Sequence, residues 1–263
     1  MYKYVSLAKL SMQNTVAYRG TFIISILGNF IYLLSIFYLW NVVFTAKEQL
    51  GGLSWDQMKG YLIISFFMNG LISFYSEGTI SGKIVDGSVA LDMLKPVDFQ
   101  KARLSEVLGA GVFESFVSIV MIFIMAPTIF SGVYNPHWYT WLLLLVSVGA
   151  ALLIKFGIIY LTCLLCFYTT SRYGLSLART AIMNLLSGAL IPLIFFPKWL
   201  EVICTYLPFQ GIVFIPASIY LERVDGAEAI GLIGLQLVWV VILWWAGKLL
   251  WNWAIKQVTI HGG

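Results

Sequence analysis

The sequence predicts an all-α polytopic membrane protein, and three observations carry that prediction. Sixty per cent of the residues are hydrophobic and only 11% are charged, against about a quarter charged in ordinary globular domains. Uncharged runs long enough to cross a bilayer recur along the chain. Basic residues gather on one side of the topology those runs imply. A chain of 263 residues has room for about six spans with their loops and for no soluble catalytic domain of ordinary size. The net charge of +4 suits anionic lipid headgroups rather than nucleic acid.

Residues 2–19 place Val5, Ala8, Met12 and Val16 at helical spacing, with Lys3, Lys9 and Arg19 elsewhere. That pattern predicts an amphipathic helix at the membrane surface. It also precedes the first apolar run, which is too long for a signal-peptide core. Spans are predicted at about 21–44, 60–81, 104–130, 138–168, 175–197 and 229–253. The turn chemistry of Ser131 to Pro136 separates the third from the fourth. Trp239, Trp244, Trp245, Trp251 and Trp253 suit packing and the interface of the last.

Residues 202–221 are also uncharged but contain Pro208, Gly211 and Pro216. They either cross, giving seven helices, or dip in and return. With six spans the cytoplasmic segments hold Lys3, Lys9, Arg19, Lys83, Lys95, Lys101, Arg103, Arg172, Arg179, Lys248 and Lys256. The outer loops hold only Lys47, Lys59, Lys198 and Arg223. A seventh span would bring the acidic 222–228 loop inside and put Lys256 outside. The positive-inside rule therefore favours six spans, both termini cytoplasmic, and a re-entrant hairpin between spans five and six. Irregular backbone at that depth needs protein or a water-filled cavity around it.

Catalytic signatures are missing. Gly247-Lys248 lacks the upstream glycine of a phosphate-binding loop and is followed by Leu249. His137 and His261 lie in an outer turn and the tail, so no histidine metal cluster or triad assembles. Ser187-Gly188 lacks the context of an intramembrane serine protease. Asp86-Gly87 with Ala90 matches part of a phosphotransferase motif whose further aspartates are absent. Cys163, Cys166 and Cys204 all sit in apolar runs and give no disulfide framework; Cys163 and Cys166 read as buried fillers rather than a redox pair.

Between Lys83 and Arg103, Ser88 can cap a short helix over 89–94, stopped by Pro96, with Leu91 and Leu94 beside Asp92. Too short to span, it lies on the cytoplasmic face. Composition alone favours a loop resting on headgroups over a partner-docking element. Further on, Pro192 interrupts the fifth span and Pro197 closes it.

Three motifs in order resemble a family. Asn14 through Tyr18-Arg19, the Gly87-to-Lys95-Pro96 loop, and the Ser187-Gly188, Pro192, Pro197, Pro208 and Pro216 pattern look like the permease subunits of type-2 ABC exporters, in an uncharacterised branch. The resemblance covers essentially the whole chain. It implies that the loop between spans two and three is a coupling helix. The ATPase would dock on Ile84, Val85, Leu91, Leu94, Lys95 and Pro96, within 84–99. Pro192, Pro197, Pro208 and Pro216 would shape the outer gate. It further implies a plasma-membrane exporter with two copies of a cytoplasmic ABC ATPase and a second permease, identical or related. No cofactor is bound by this chain; ATP and Mg belong to the ATPase. The rival reading is an ATP-independent secondary transporter, which would show broken helices in both halves, or a lipid-modifying membrane enzyme.

Charges inside spans need partners. Glu114 lies 20 residues before Tyr134 and Lys155 lies 21 after it. Antiparallel neighbours bring both to one depth, so a Glu114–Lys155 ion pair is expected to clamp spans three and four.

Overall fold

The computed structural model describes residues 2–17, 19–47, 49–71, 74–129, 134–169, 171–224 and 226–257. Eleven helices and one two-stranded ribbon follow in order: α1 (Tyr2–Ala17), α2 (Arg19–Ala46), β1 (Gln49–Leu50), β2 (Leu53–Ser54), α3 (Trp55–Gly70), α4 (Phe74–Val85), α5 (Val89–Met93), α6 (Phe99–Ile129), α7 (Trp138–Leu164), α8 (Arg172–Leu186), α9 (Lys198–Tyr206), α10 (Phe214–Tyr220) and α11 (Gly226–Ala254).

Among the described residues, four stretches are long and apolar enough to cross a membrane: Leu27–Ala46, Phe99–Ile124, Trp138–Phe167 and Gly226–Ala254. The third is 56% buried, against 22–28% for the others. α7 is therefore the hub, and the other three turn most of their apolar surface outward. α7 serves both halves of the core. Leu144, Ile154 and Ile158 belong to one apolar cluster with α3 and α10, while Phe156, Tyr160 and Leu164 join Ile80, Val89 and Phe99 in a second. Small residues bring α11 close to α7. A Cβ on Gly157 would stand 2.8 Å from Leu243, and one on Gly247 would stand 3.1 Å from Tyr160.

Two predicted spans are not single helices. The 60–81 span is divided between α3 and α4, and the helix of the 175–197 span ends at Leu186. The first break is satisfied from outside: Lys155 on α7 donates to the carbonyls of Met68 at 3.0 Å and Asn69 at 2.8 Å. A cation on the last carbonyls is what a helix C-terminus favours. The second break follows from Gly188, whose φ of +82° takes the left-handed conformation that ends helices. The amides of Ser187 and Leu190 reach back to the carbonyls of Met183 and Asn184.

At the other end of α3, the hairpin turns on Gly51 (φ +56°) and Gly52 (φ +72°), both left-handed as a tight two-residue turn requires. Ser54 and Gln57 then form a reciprocal capping box that starts α3.

α1 packs along α6, with the Ala8 carbonyl oxygen only 2.0 Å from where a Cβ on Gly109 would stand. Its inward residues are Tyr4, Leu7, Ala8, Ser11 and Thr15. Of the predicted apolar stripe only Ala8 faces α6, while Val5, Met12 and Val16 are exposed. Close approach needs small side chains, and Ala8, Ser11 and Thr15 supply them.

One buried polar knot joins α7, α11 and the turn at Gly211. Gln236 of α11 accepts from Ser147 Oγ of α7 at 2.9 Å and donates to the carbonyls of Ser147 (3.2 Å) and Gly211 (2.7 Å). Gln236→Leu strips a donor from both carbonyls and is expected to destabilise the fold by about 1–3 kcal/mol, read as a lowered Tm of the purified protein. Ser147→Ala, which leaves both carbonyl bonds in place, should cost less.

Candidate functional site: a braced shelf and a broken segment after α8

The shelf begins where α4 ends. Gly87, at φ +77°, turns the chain, and Ser88 follows. The Ser88 side chain makes no cap bond, contrary to expectation; its amide donates instead to Asp86 Oδ1 at 2.9 Å. α5 then runs for five residues to Met93, one fewer than predicted.

Asp92 holds this segment. Its carboxylate, 6% exposed, receives Lys83 Nζ at 3.0 Å, Lys95 Nζ at 2.6 Å and Arg103 Nη2 at 3.2 Å. Burial pushes the Asp92 carboxyl up, but the lysine hydrogen bonds and the Arg103 charge outweigh it and hold the group below its ordinary value. Arg103 is itself buried. It also pairs with Glu106 at 2.7 Å, and its guanidinium sits 5.0 Å over the Phe99 ring. Phe99 stacks on Trp251 of α11 with centroids 4.1 Å apart. The shelf is thereby tied to α6 and α11 through one continuous set of contacts.

With Asp92 and Val89 turned inward, the outer edge is apolar. Leu91 is 65% exposed and Leu94 82%, and Val85, Lys95 and Pro96 are exposed beside them. Ile84 points the other way, into the core with Val89 and Phe99.

Deeper, Arg179 of α8 pairs with Glu77 of α4, both nearly buried. α4 leads straight into the shelf, and α8 leads to Gly188. Sequence reasoning missed this pair because it counted Arg179 among loop cations; the signal available was Glu77, a lone acid in an apolar run. Glu114 is 5% exposed, and its carbonyl accepts from Ser118 Oγ. Its charge and that of Glu77 act on Lys155 through space. The four charged groups thus share one interior neighbourhood, with Lys155 hydrogen-bonded to the end of α3. Cys163 and Cys166 are buried free thiols.

Beyond Gly188 the chain is held by side chains of α3. Tyr61 Oη donates to the Gly188 carbonyl at 2.7 Å, and Ser65 Oγ donates to that of Ala189 at 3.0 Å. The Phe214 amide donates to the Ser187 carbonyl at 3.1 Å. The four prolines of this segment all stand at or near the starts of elements. Pro192 precedes a 3₁₀ turn over Leu193–Phe195, and Pro197 caps the start of α9. Pro208 opens a second 3₁₀ turn, and Pro216 lies in the first turn of α10. Pro192 and Pro197 therefore neither interrupt nor close α8, which has already ended at Leu186.

Glu222, unmarked in the sequence, locks the far end of α10. It adopts φ +51°, strained for a side-chain-bearing residue. Its carboxylate accepts from Tyr134 Oη (2.6 Å), the His137 amide (2.8 Å) and Thr140 Oγ1 (2.5 Å), and pairs with His137 Nδ1 (2.8 Å). Tyr220 Oη donates to the Tyr134 carbonyl, and Arg223 to that of Gly52. Desolvation raises the carboxyl, yet the donors from Thr140, Tyr134 and His137 prevail and draw it down to about 2.

Two outcomes follow from these anchors. Asp92→Ala removes a carboxylate that serves three cations, so amide exchange across 88–97 is expected to speed about tenfold or more by mass spectrometry. Glu222 has its pKa depressed on folding from 4.5 to about 2. Its contribution to stability is thus present above pH about 4.5 and lost as pH falls from there toward 2. The wild-type melting temperature is expected to drop over that window. In Glu222→Gln the loss should already be present at pH 7, with a flatter acid response.

No curated protein matches the chain. Residues 30–262, from within the first apolar helix to the penultimate residue, match the family model for ABC-2 family transporter proteins. A multi-pass apolar fold and this match over most of the sequence agree, and the chain belongs to the ABC-2 transporter family.

Proposed function

We propose that this chain is the permease subunit of an ATP-driven exporter, borrowing its energy from a separate cytoplasmic ABC ATPase present in two copies. The observation that carries the reading is the apolar edge of Leu91 and Leu94, exposed on a segment otherwise braced by Asp92. A five-residue helix with that much bracing and two bare leucines suits a groove on another protein. Val85, Lys95 and Pro96 flank the contact, and Ile84 supports it from beneath.

In this reading the chain crosses the membrane six times, with α3 and α4 together forming the second crossing. Both termini lie in the cytoplasm, in the plasma membrane. α9 and α10 form the re-entrant hairpin, and Pro192, Pro197, Pro208 and Pro216 shape the outer gate. Closure of the ATPase pair pushes the shelf. The push travels along α4 and through Glu77–Arg179 to α8, whose outer end carries the broken segment. Glu114 and Lys155 clamp α6 against α7 near the α3 break. The pathway lies between two permeases, and this chain supplies no nucleotide site; ATP and Mg are held by the ATPase.

The double substitution Leu91→Asp with Leu94→Asp tests the docking. Burying two carboxylates in an apolar groove costs several kcal/mol, so ATPase recovered with the tagged permease is expected to fall more than about tenfold. Recovery at the wild-type level would overturn docking at this edge.

A further inference from the structure

The two ends of the broken segment meet at one place, the turn of the β1–β2 hairpin. Two glycines stand there side by side, and each is gripped by a different end. Gly51 lies under the start of the segment: a Cβ on it would stand 2.6 Å from Phe195 Cε1 and 3.3 Å from Ile194 Cδ1. Gly52 is held by the stretch after α10, where Arg223 Nη1 donates to its carbonyl at 3.3 Å.

Phe195 makes a second contact, stacking on Trp40 of α2 with centroids 5.2 Å apart. One side chain thus joins the 3₁₀ turn over Leu193–Phe195 to both α2 and the hairpin. Trp40 is 6% exposed, and its Nε1–H has no acceptor among the described residues. A buried donor without an acceptor raises the energy of the arrangement that strands it.

The segment is therefore held in two different ways. At its root, buried hydrogen bonds from Tyr61 and Ser65 fix Gly188 and Ala189. At the hairpin the hold is ring on ring, ring on a bare glycine, and one exposed hydrogen bond from Arg223. Those contacts can part without breaking a buried hydrogen bond, and dispersion contacts fade within an ångström of separation. The hairpin in turn runs straight into α3 through the capping box of Ser54 and Gln57, so a displacement of α3 moves the turn.

We propose that the β1–β2 hairpin is a strap across the broken segment, with Phe195 as its latch, and that the gate opens when α3 draws the turn off the Phe195 ring. This rests on the exporter reading above, in which α3 and α4 form one crossing that starts from the shelf, and it adds what holds the gate shut.

Asparagine tolerates positive φ and is favoured at the first position of such a turn. Gly51→Asn therefore keeps the hairpin while putting a side chain where the Phe195 ring lies. Gly52→Asn makes the same demand on the backbone, but the nearest atom to its Cβ is Arg223 Nη2 at 3.8 Å, so it is the control. Hydrogen exchange by mass spectrometry on the full-length permease in nanodiscs reads the amides of Phe195 and Phe196, which donate to the carbonyls of Pro192 and Leu193. Gly51→Asn and Phe195→Ala are each expected to speed their exchange about tenfold, and Gly52→Asn less than about twofold. Adding Gly51→Asn to Phe195→Ala should change nothing further, because the ring it displaces is already gone. Wild-type exchange in Gly51→Asn, or equal speeding by Gly52→Asn, would overturn the latch.

The gating role is read on the permease purified with its ATPase. A non-hydrolysable ATP analogue should speed exchange over 49–54 and 193–196 together, and Phe195→Ala should be fast over 193–196 without it. A response over 88–97 with none at the hairpin would overturn the strap and leave the exporter reading standing. No response at either would overturn the exporter reading and the strap's role in gating with it.

Discussion

A helix that stops among apolar neighbours leaves carbonyls with nothing to bond, and this fold depends on how it answers that problem. Apolar side chains offer no donors, so each break must be closed by polar groups brought from elsewhere in the protein. The ammonium of Lys155 closes the end of α3. The hydroxyls of Tyr61 and Ser65 close the stretch after α8. The amide of Gln236 closes the turn at Gly211. Each donor comes from a neighbouring helix, so the same bonds that satisfy the breaks also set which helices are neighbours. α7 and α3 supply much of this, and they are among the most buried elements of the molecule.

The breaks also confer mechanical character. An unbroken span transmits displacement along its own axis, whereas a span in two pieces can bend where the pieces meet. α4 is short, continuous with the shelf, and joined to α8 by a buried ion pair. Removing one partner of such a pair strands a charge, which is far costlier than exchanging both for apolar groups. The pair therefore binds α4, and with it the shelf, to α8. Side-chain contacts at both ends of this path, Asp92 with its three cations and Glu222 with its donors, make each end stiff relative to the middle.

Much of the architecture could be read from the residues. The runs around 27–46, 99–124, 138–167 and 226–254 are predominantly apolar, and the structure forms long helices there. The shelf was marked by Gly87, Pro96 and its cluster of charge. The interruption of 60–81 was not legible, because composition stays apolar through it, and that of 175–197 was read at Pro192 rather than at Gly188. What ends α3 lies on α7, more than eighty positions away. Proline attracted attention at 192 and 197, while Gly188 had already stopped the helix. Face assignment on α1 failed for a related reason: hydrophobicity marked one stripe, but the flat contact with Gly109 selected the small residues beside it. The Glu77–Arg179 pair and the Glu222 anchor join positions more than eighty apart, and beyond the lone acid Glu77 in its apolar run nothing local announces them.

The arrangement around Glu222 has an evolutionary corollary. Its carboxylate draws on Tyr134, His137 and Thr140 at once, so the segment before α7 and the segment after α10 cannot drift independently. A graft of one loop from a relative with a different residue at 222 would leave hydroxyls facing no acceptor, or an acid facing no hydroxyls. Within this lineage the two stretches should be inherited as a matched set.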